Sequence, residues 1–237
     1  MHWHIGTSGW HYQHWVGHFY PPDLASDAWL DYYAGHFDTV EINNSFYGLP
    51  TSTTIAHWLD ATPDHFVFAA KASRLITHLK KLKQPEITLP PFLNVLHKLG
   101  ARRGPALIQL PPRWHSNGER LAAFLGAWPA ELACTFELRD ADWQRPEIYA
   151  LLQLRNAALC IYDLDGYTSP LLATADFTYL RLHGPGAAYR GHYSRAALKQ
   201  WVAQVRRLDV EHVYVYFDND EAAYAIRNGL ELKELVA

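Results

Sequence analysis

Short runs of β-branched and aromatic residues recur along the chain, separated by longer stretches in which apolar residues return every three or four positions. The first pattern has the two-residue period of strands and the second the 3.6-residue period of helices, so their alternation predicts a parallel sheet with crossover helices. Eight such runs stand out, at 2–7, 39–43, 66–71, 106–110, 134–139, 158–163, 178–183 and 212–217. Eight units at a spacing of roughly thirty residues are the signature of a closed (β/α)8 barrel, with a parallel eight-stranded sheet inside a ring of helices. Helix starts are read at Ser26 or Asp27, at Ser194 and at Asp220-Glu221, each taken as a cap. The sixth crossover, 168–175, has room for only a fragment of helix.

No linker, low-complexity tract or charge block divides the chain, so residues 1–237 are read as a single barrel domain. With 49% hydrophobic and 19% charged residues there is material for a sizeable core and too little charge for disorder. A net charge of −3 provides no global field for nucleic acid or an anionic membrane, so any anion site must be local. Cys134 and Cys160 lie in apolar strand runs and read as buried thiols, with no disulfide framework or zinc knot implied. The N-terminus lacks a basic region followed by an apolar stretch, and no run of about eighteen apolar residues occurs, so a cytoplasmic protein is expected.

In such a barrel the chemistry sits at the carboxyl ends of the strands, where inward-pointing residues meet the loops. Those ends turn polar here: Glu41 and Asn43 on strand two, Lys71 on strand three, Gln109 on strand four, Glu137 and Arg139 on strand five, Asp163 on strand six, Arg181 and His183 on strand seven. Ser8, Trp10, Trp15 and Tyr20 from the first loop, Ser45, Phe46 and Tyr47 from the second, and Tyr189 and Tyr193 from the seventh are expected to rim them. An unpaired buried charge costs several kcal/mol, so opposite charges should meet. One account is a structural network in which Glu41, Glu137 and Asp163 balance Lys71, Arg139 and Arg181. The other is a ligand pocket, favoured because the charges gather at the functional end while lower strand positions stay apolar. His183 reads equally as a catalyst or a hydrogen-bonded wall residue, and His78 as a mouth or a loop residue.

The runs Gly6-Thr7-Ser8-Gly9-Trp10, Val40-Glu41-Ile42-Asn43 with Phe46-Tyr47, Lys71 followed by Thr77-His78, and Gln109-Leu110-Pro111-Pro112 resemble one family. Glu137-Leu138-Arg139 with Trp143, Arg181-Leu182-His183-Gly184 and Tyr216-Phe217-Asp218-Asn219-Asp220 do so too, and in the same order along nearly the whole chain. This is domain-of-unknown-function family 72, the YecE-like proteins. The resemblance implies a TIM barrel, and it implies pocket residues at Glu41, Asn43, Lys71, Gln109, Glu137, Arg139, Arg181, His183 and Asn219. It implies no activity. Asp218 departs from the family pattern, which commonly has a second asparagine there, and Asp140 stands where a histidine is frequent. Asp218 is accordingly kept out of the catalytic set.

The leading functional expectation is a metal-independent enzyme, a hydrolase or lyase acting on a small anionic substrate at the mouth of the barrel, with phosphate as one form the anion can take. Glu41 and Glu137 would serve as acid and base, joined by His183, and Lys71, Arg139 and Arg181 would bind the anion. Ser8, Trp10, Asn43, Tyr47, Gln109, Asp163, Tyr189 and Asn219 complete the expected binding set, with no cofactor and no metal ligand assigned. Gly184, Gly186, Arg190 and Gly191 offer a phosphate loop or simply shape a turn. A second expectation is a divalent-metal enzyme similar to the endonuclease IV and xylose isomerase barrels, with the carboxylates and His183 or His78 as ligands. A third, less favoured, is a binding module, for nucleic acid through Lys80, Lys81 and Lys83 with stacking on Trp10 and Trp15. The sequence assigns no oligomeric state, partner protein or substrate identity.

Overall fold

A computed structural model describes residues 1–237. The strands are β1 (His2–Thr7), β2 (Thr39–Ile42), β3 (Val67–Lys71), β4 (Arg103–Leu110), β5 (Cys134–Leu138), β6 (Ala158–Leu164), β7 (Tyr167–Thr168), β8 (Phe177–Leu182) and β9 (His212–Phe217). Leaving out the short β7, eight strands pair in parallel in the order β1-β9-β8-β6-β5-β4-β3-β2. The main helices are α1 (Trp29–Ala34), α2 (Ser52–Asp60), α3 (Pro85–Thr88), α4 (Pro90–Leu99), α5 (Gly118–Ala127), α6 (Pro146–Leu154), α7 (Arg195–Val205) and α8 (Tyr224–Val236). The architecture is a nearly closed (β/α)8 TIM barrel, as the hydrophobic pattern predicts. No helix is long and apolar enough to cross a membrane.

The barrel closes between β1 and β2 without a continuous ladder, through a single parallel bridge from Ser8 to Glu41. Gly6 permits that approach, because a Cβ there would stand 2.1 Å from the Thr39 carbonyl oxygen. The hydroxyl of Tyr33, on α1, substitutes for missing ladder bonds: it accepts from Thr7 N at 3.0 Å and donates to Thr39 O at 3.0 Å. Buried polar backbone groups at the seam are thus paired by a side chain. Outside the sheet, apolar side chains of the strands pack on the helices in three clusters, around Phe92 and Phe136, around Phe37 and Phe68, and around Leu180 and Val215. Inside, Ala69, Leu107, Cys160, Tyr179 and Tyr216 form the lower plug. Both thiols are buried and free, as read from the sequence.

Three local expectations are corrected. The sixth crossover contains no helix: β6 turns at Asp165-Gly166, both at positive φ (53° and 77°), into β7, which pairs with it antiparallel. The chain then runs back without helix, tied to β6 by hydroxyls, with Ser169 Oγ accepting from Tyr162 N at 2.8 Å and Thr174 Oγ1 accepting from Leu159 N at 2.7 Å. Of the expected caps, only Ser194 acts as one, accepting from Ala197 N at 3.2 Å. Ser26 and Asp27 lie in a 3₁₀ turn leading into α1, while α8 begins behind Ala223 with no side-chain cap. The Asp220 carboxylate instead accepts from Trp15 Nε1 at 2.8 Å.

Candidate active site

The centre of the mouth is Arg181, projected inward from β8 and fully buried. Tyr179, Arg181 and His183 share a strand phase, so the side chains ascend from the apolar plug through the ionic layer to the mouth. Glu41, from β2 across the barrel, takes Arg181 on both oxygens, with Nη2 at 2.7 Å from Oε1 and Nε at 2.9 Å from Oε2. Ser8 Oγ and Tyr179 OH add donors to the same carboxylate, each at 2.7 Å. Arg181 Nη1 donates to Glu137 Oε2 at 2.8 Å, and Arg139 Nε donates to Glu137 Oε1. One guanidinium therefore bridges two carboxylates from opposite sides of the barrel.

Burial alone would raise the Glu137 carboxyl, but Arg139 and Arg181 overcome it and hold the group well below the usual carboxylate range. Burial and the Glu41 carboxylate push the Tyr179 phenol well up, so it remains a donor. His183 is buried between Arg181 Nη1, 3.2 Å from its Nε2, and Asp218 Oδ2, 3.0 Å from its Nδ1. The second contact has ion-pair distance without hydrogen-bond alignment. With Nη1 donating to Nε2, the proton of a neutral ring sits on Nδ1, facing Asp218.

Lys71 is the exception to this pairing. Its Nζ lies 4.7 Å from the Phe46 ring centroid, and no carboxylate comes within ion-pair distance of it. Burial, followed by the neighbouring Arg181 charge, lowers its ammonium to about 8. Two further groups on the same rim lack partners: Asn43 Oδ1 and Gln109 Oε1 are buried and accept no hydrogen bond. Buried polar atoms are rarely left unsatisfied, and here they accompany an unpaired cation.

Of the expected site residues, Ser8, Glu41, Glu137, Arg139, Arg181 and His183 are in direct contact, and Lys71, Asn43 and Gln109 occupy neighbouring strand ends. Asp163 is elsewhere: its Oδ2 accepts from Tyr193 OH at 2.8 Å, and that hydroxyl accepts from Gly184 N at 2.9 Å, so it shapes the loop after β8. Asp218 takes its place in the ionic layer, with Oδ2 3.3 Å from Arg181 Nη2. The signal was present in the alternation Tyr214, Tyr216, Asp218, which continues the inward phase of β9. Asn219 is fully buried; its Nδ2 holds Gly191 O at 2.8 Å and Asn228 Oδ1 at 2.9 Å, joining the β8–α7 loop to α8.

Trp15, Tyr20 and Tyr193, expected at the rim, are buried, because each has a polar tip satisfied inside: on Asp220, on Trp10 O and on Asp163 respectively. The rim retains Trp10, Phe46, the exposed Tyr47, and Tyr189, whose ring meets His183 edge-on at 5.4 Å. Gly184 shapes a turn, since a Cβ there would lie 2.2 Å from Arg190 O, and Arg190 itself faces Glu221 at 3.8 Å. His78 packs edge-on against Phe46, with ring centroids 4.9 Å apart, and burial and Lys71 hold its imidazolium down.

Comparison with known proteins agrees with this architecture. A DUF72 family protein from Thermotoga maritima is 28% identical, with a TM-score of 0.87 over 100% of this chain and 99% of that one. A DUF72 family protein from Enterococcus faecalis, at 18% identity and a TM-score of 0.83, shares the fold over 99% of this chain and 95% of its own. Among curated sequences, the UPF0759 protein YunF of Bacillus subtilis is 26% identical over 98% of this chain and 94% of its own length. The UPF0759 protein YecE of Escherichia coli strain K12 is 30% identical over 59% of this chain and 49% of its own. The family model described as "Protein of unknown function DUF72" matches residues 4–237, and the chain belongs to that family.

Proposed function

We propose that the barrel mouth is a metal-independent acid–base site for a small anionic substrate, a phosphate or carboxylate ester or a β-eliminating acid, so that the protein acts as a hydrolase or lyase. The observation that carries this reading is Lys71, a largely buried ammonium at about 8 with no carboxylate partner, while the unpartnered Asn43 and Gln109 carbonyl oxygens on neighbouring strand ends call for hydrogen-bond donors on the same ligand. At neutral pH its ammonium attracts an anion and stands close enough to its pKa to give up a proton in the transition state. Arg139, whose only carboxylate contact is through Nε, offers the adjacent donors.

Glu41 and Glu137 take a different part from the one the sequence suggests. Every oxygen of both carboxylates is engaged by Arg181, Ser8, Tyr179 or Arg139, and a carboxyl held as low as that of Glu137 is a weak base and no acid. They position Arg181 and, through it, His183, while Lys71 handles the proton. A panel of small phosphate and carboxylate esters and β-substituted acids provides the test: a turned-over substrate should lose about a hundredfold or more in kcat with Lys71→Met. Unchanged turnover in Lys71→Met would overturn the assignment.

The metal reading has less support, because no three His, Cys, Asp or Glu side chains converge as a ligand set and the two glutamates spend their lone pairs on arginine. Metal content after purification without a metal-affinity tag or chelator checks this independently, and near-stoichiometric zinc, manganese or iron would reverse the order of the two readings. The nucleic-acid reading loses Trp15 as a stacking surface, since that ring is fully buried, and Lys81 is drawn over Trp114, 5.8 Å from its ring centroid.

A further inference from the structure

The sixth unit of the barrel lacks its helix, and the hairpin that replaces it walls a cleft of about 430 Å³ across the carboxyl ends of β4, β5 and β6. The floor is Leu138 and the ring of Tyr162, both buried, and the walls are Pro112, Leu164 and the half-exposed Tyr167. The Tyr162 and Tyr167 rings are tilted at 46° with centroids 5.7 Å apart, presenting two aromatic faces to one space. Gln144 also lines the cleft, but its amide is spent within the protein, donating to Leu138 O at 2.9 Å and accepting from Tyr149 OH at 2.8 Å. The one carboxylate, Asp165, is exposed at the hairpin turn.

Arg139 is the only cation of the cleft. Its Nε is committed to Glu137 in the ionic layer, which leaves the outer edge of the guanidinium without a carboxylate partner. Arg139 thus lines the cleft and at the same time pairs with the ionic layer. The cleft volume lies at the small end of ligand pockets, enough for one or two rings, and its combination of flat apolar walls with one convergent cation has a specific complement.

We infer that this cleft is the subsite for the non-reacting part of the substrate and takes an aromatic ring carrying the anionic group at its inner edge. This rests on the anion reading above, and it adds that the substrate is an aryl or otherwise planar-ring anion. The ring packs between Pro112, Leu164 and Tyr167 while the anion turns inward to Arg139 and Lys71. Binding energy from the ring is then available to orient the reacting group.

Isothermal titration calorimetry with phenyl phosphate and with inorganic phosphate tests both levels. The wild type should bind phenyl phosphate about tenfold or more tighter than inorganic phosphate. Tyr167→Ala, a change on an exposed hairpin, should shrink that ratio to about threefold or less without weakening inorganic phosphate. Lys71→Met should weaken both probes. Equal affinity of the two probes for the wild type, or a ratio untouched by Tyr167→Ala, overturns the aryl subsite. Inorganic phosphate binding that is insensitive to Lys71→Met overturns the anion site instead, and no binding of either probe overturns both.

Discussion

Arg181 reaches across the barrel to hold Glu41 on two oxygens, so the ionic layer that opens the mouth also ties β8 to β2. These strands lie on opposite sides of the β1–β2 seam, where the sheet has only one bridge. Pairing at the site and closure of the barrel are therefore one structural event.

Arg181→Met should accordingly be strongly destabilising, by about 3–5 kcal/mol, because it leaves Glu41 and Glu137 buried with one fewer cation between them. Glu41→Gln should cost less, since the amide oxygen still accepts from Ser8 or Arg181. The double variant should cost clearly less than the two single costs added together, as expected for one network. Urea unfolding of the four proteins reads the coupling, and additive costs would mean that the layer does not act as a unit.

Lys71 sets a pH dependence whose sign follows from its lowered pKa. The folded state penalises the ammonium, so this residue costs stability while it is protonated, below about 8, and the cost fades as pH rises toward 10.5, its unperturbed value. Lys71→Met should be more stable than the wild type at pH 7, by on the order of 1–3 kcal/mol, with the gap closing toward pH 10. A gap that is constant over that range would place the titration of Lys71 elsewhere.

Asp220 provides a second titration, also with a raised cost in its charged form. Burial pushes its carboxyl up to about 6, against the pull of Trp15 and His14. Its contribution to stability is therefore complete below the unperturbed value of 3.8 and is lost as pH rises through about 6. Asp220→Asn should gain on the wild type between pH 4 and pH 8, as followed by chemical denaturation. A difference that moves the other way would mean that the His14 contact outweighs burial.

Gly6→Ala tests the seam itself. With a Cβ placed 2.1 Å from the Thr39 carbonyl oxygen, β1 must retreat from β2, and the Tyr33 bridge and the Ser8 to Glu41 contact go with it. A loss of about 3 kcal/mol or more is expected, read by thermal unfolding, together with weaker ligand binding at the mouth. Wild-type stability would show that the seam has slack.

The sequence by itself determined the barrel, because strand and helix periods are local properties that eight units repeat. It also determined which strand ends are polar, because inward phase is a matter of counting in twos from an apolar run. Glu41, Glu137, Arg139 and Arg181 were legible for that reason. Only the tertiary structure decided who pairs with whom. Asp163 and Asp218 are both acids at strand ends, but on β6 the inward phase runs through Cys160, so Asp163 leaves the lumen with Ile161 and meets Tyr193, whereas Asp218 continues the inward phase of Tyr216 and meets Arg181. The rim aromatics were equally undecidable in sequence, since a tryptophan faces solvent or core according to whether a buried acceptor such as Asp220 meets its N–H. The missing sixth helix and the cleft beside Arg139 belong to the same class. They depend on how a short crossover satisfies the edge of β6, and that is settled by contacts between residues distant along the chain, which no local pattern records.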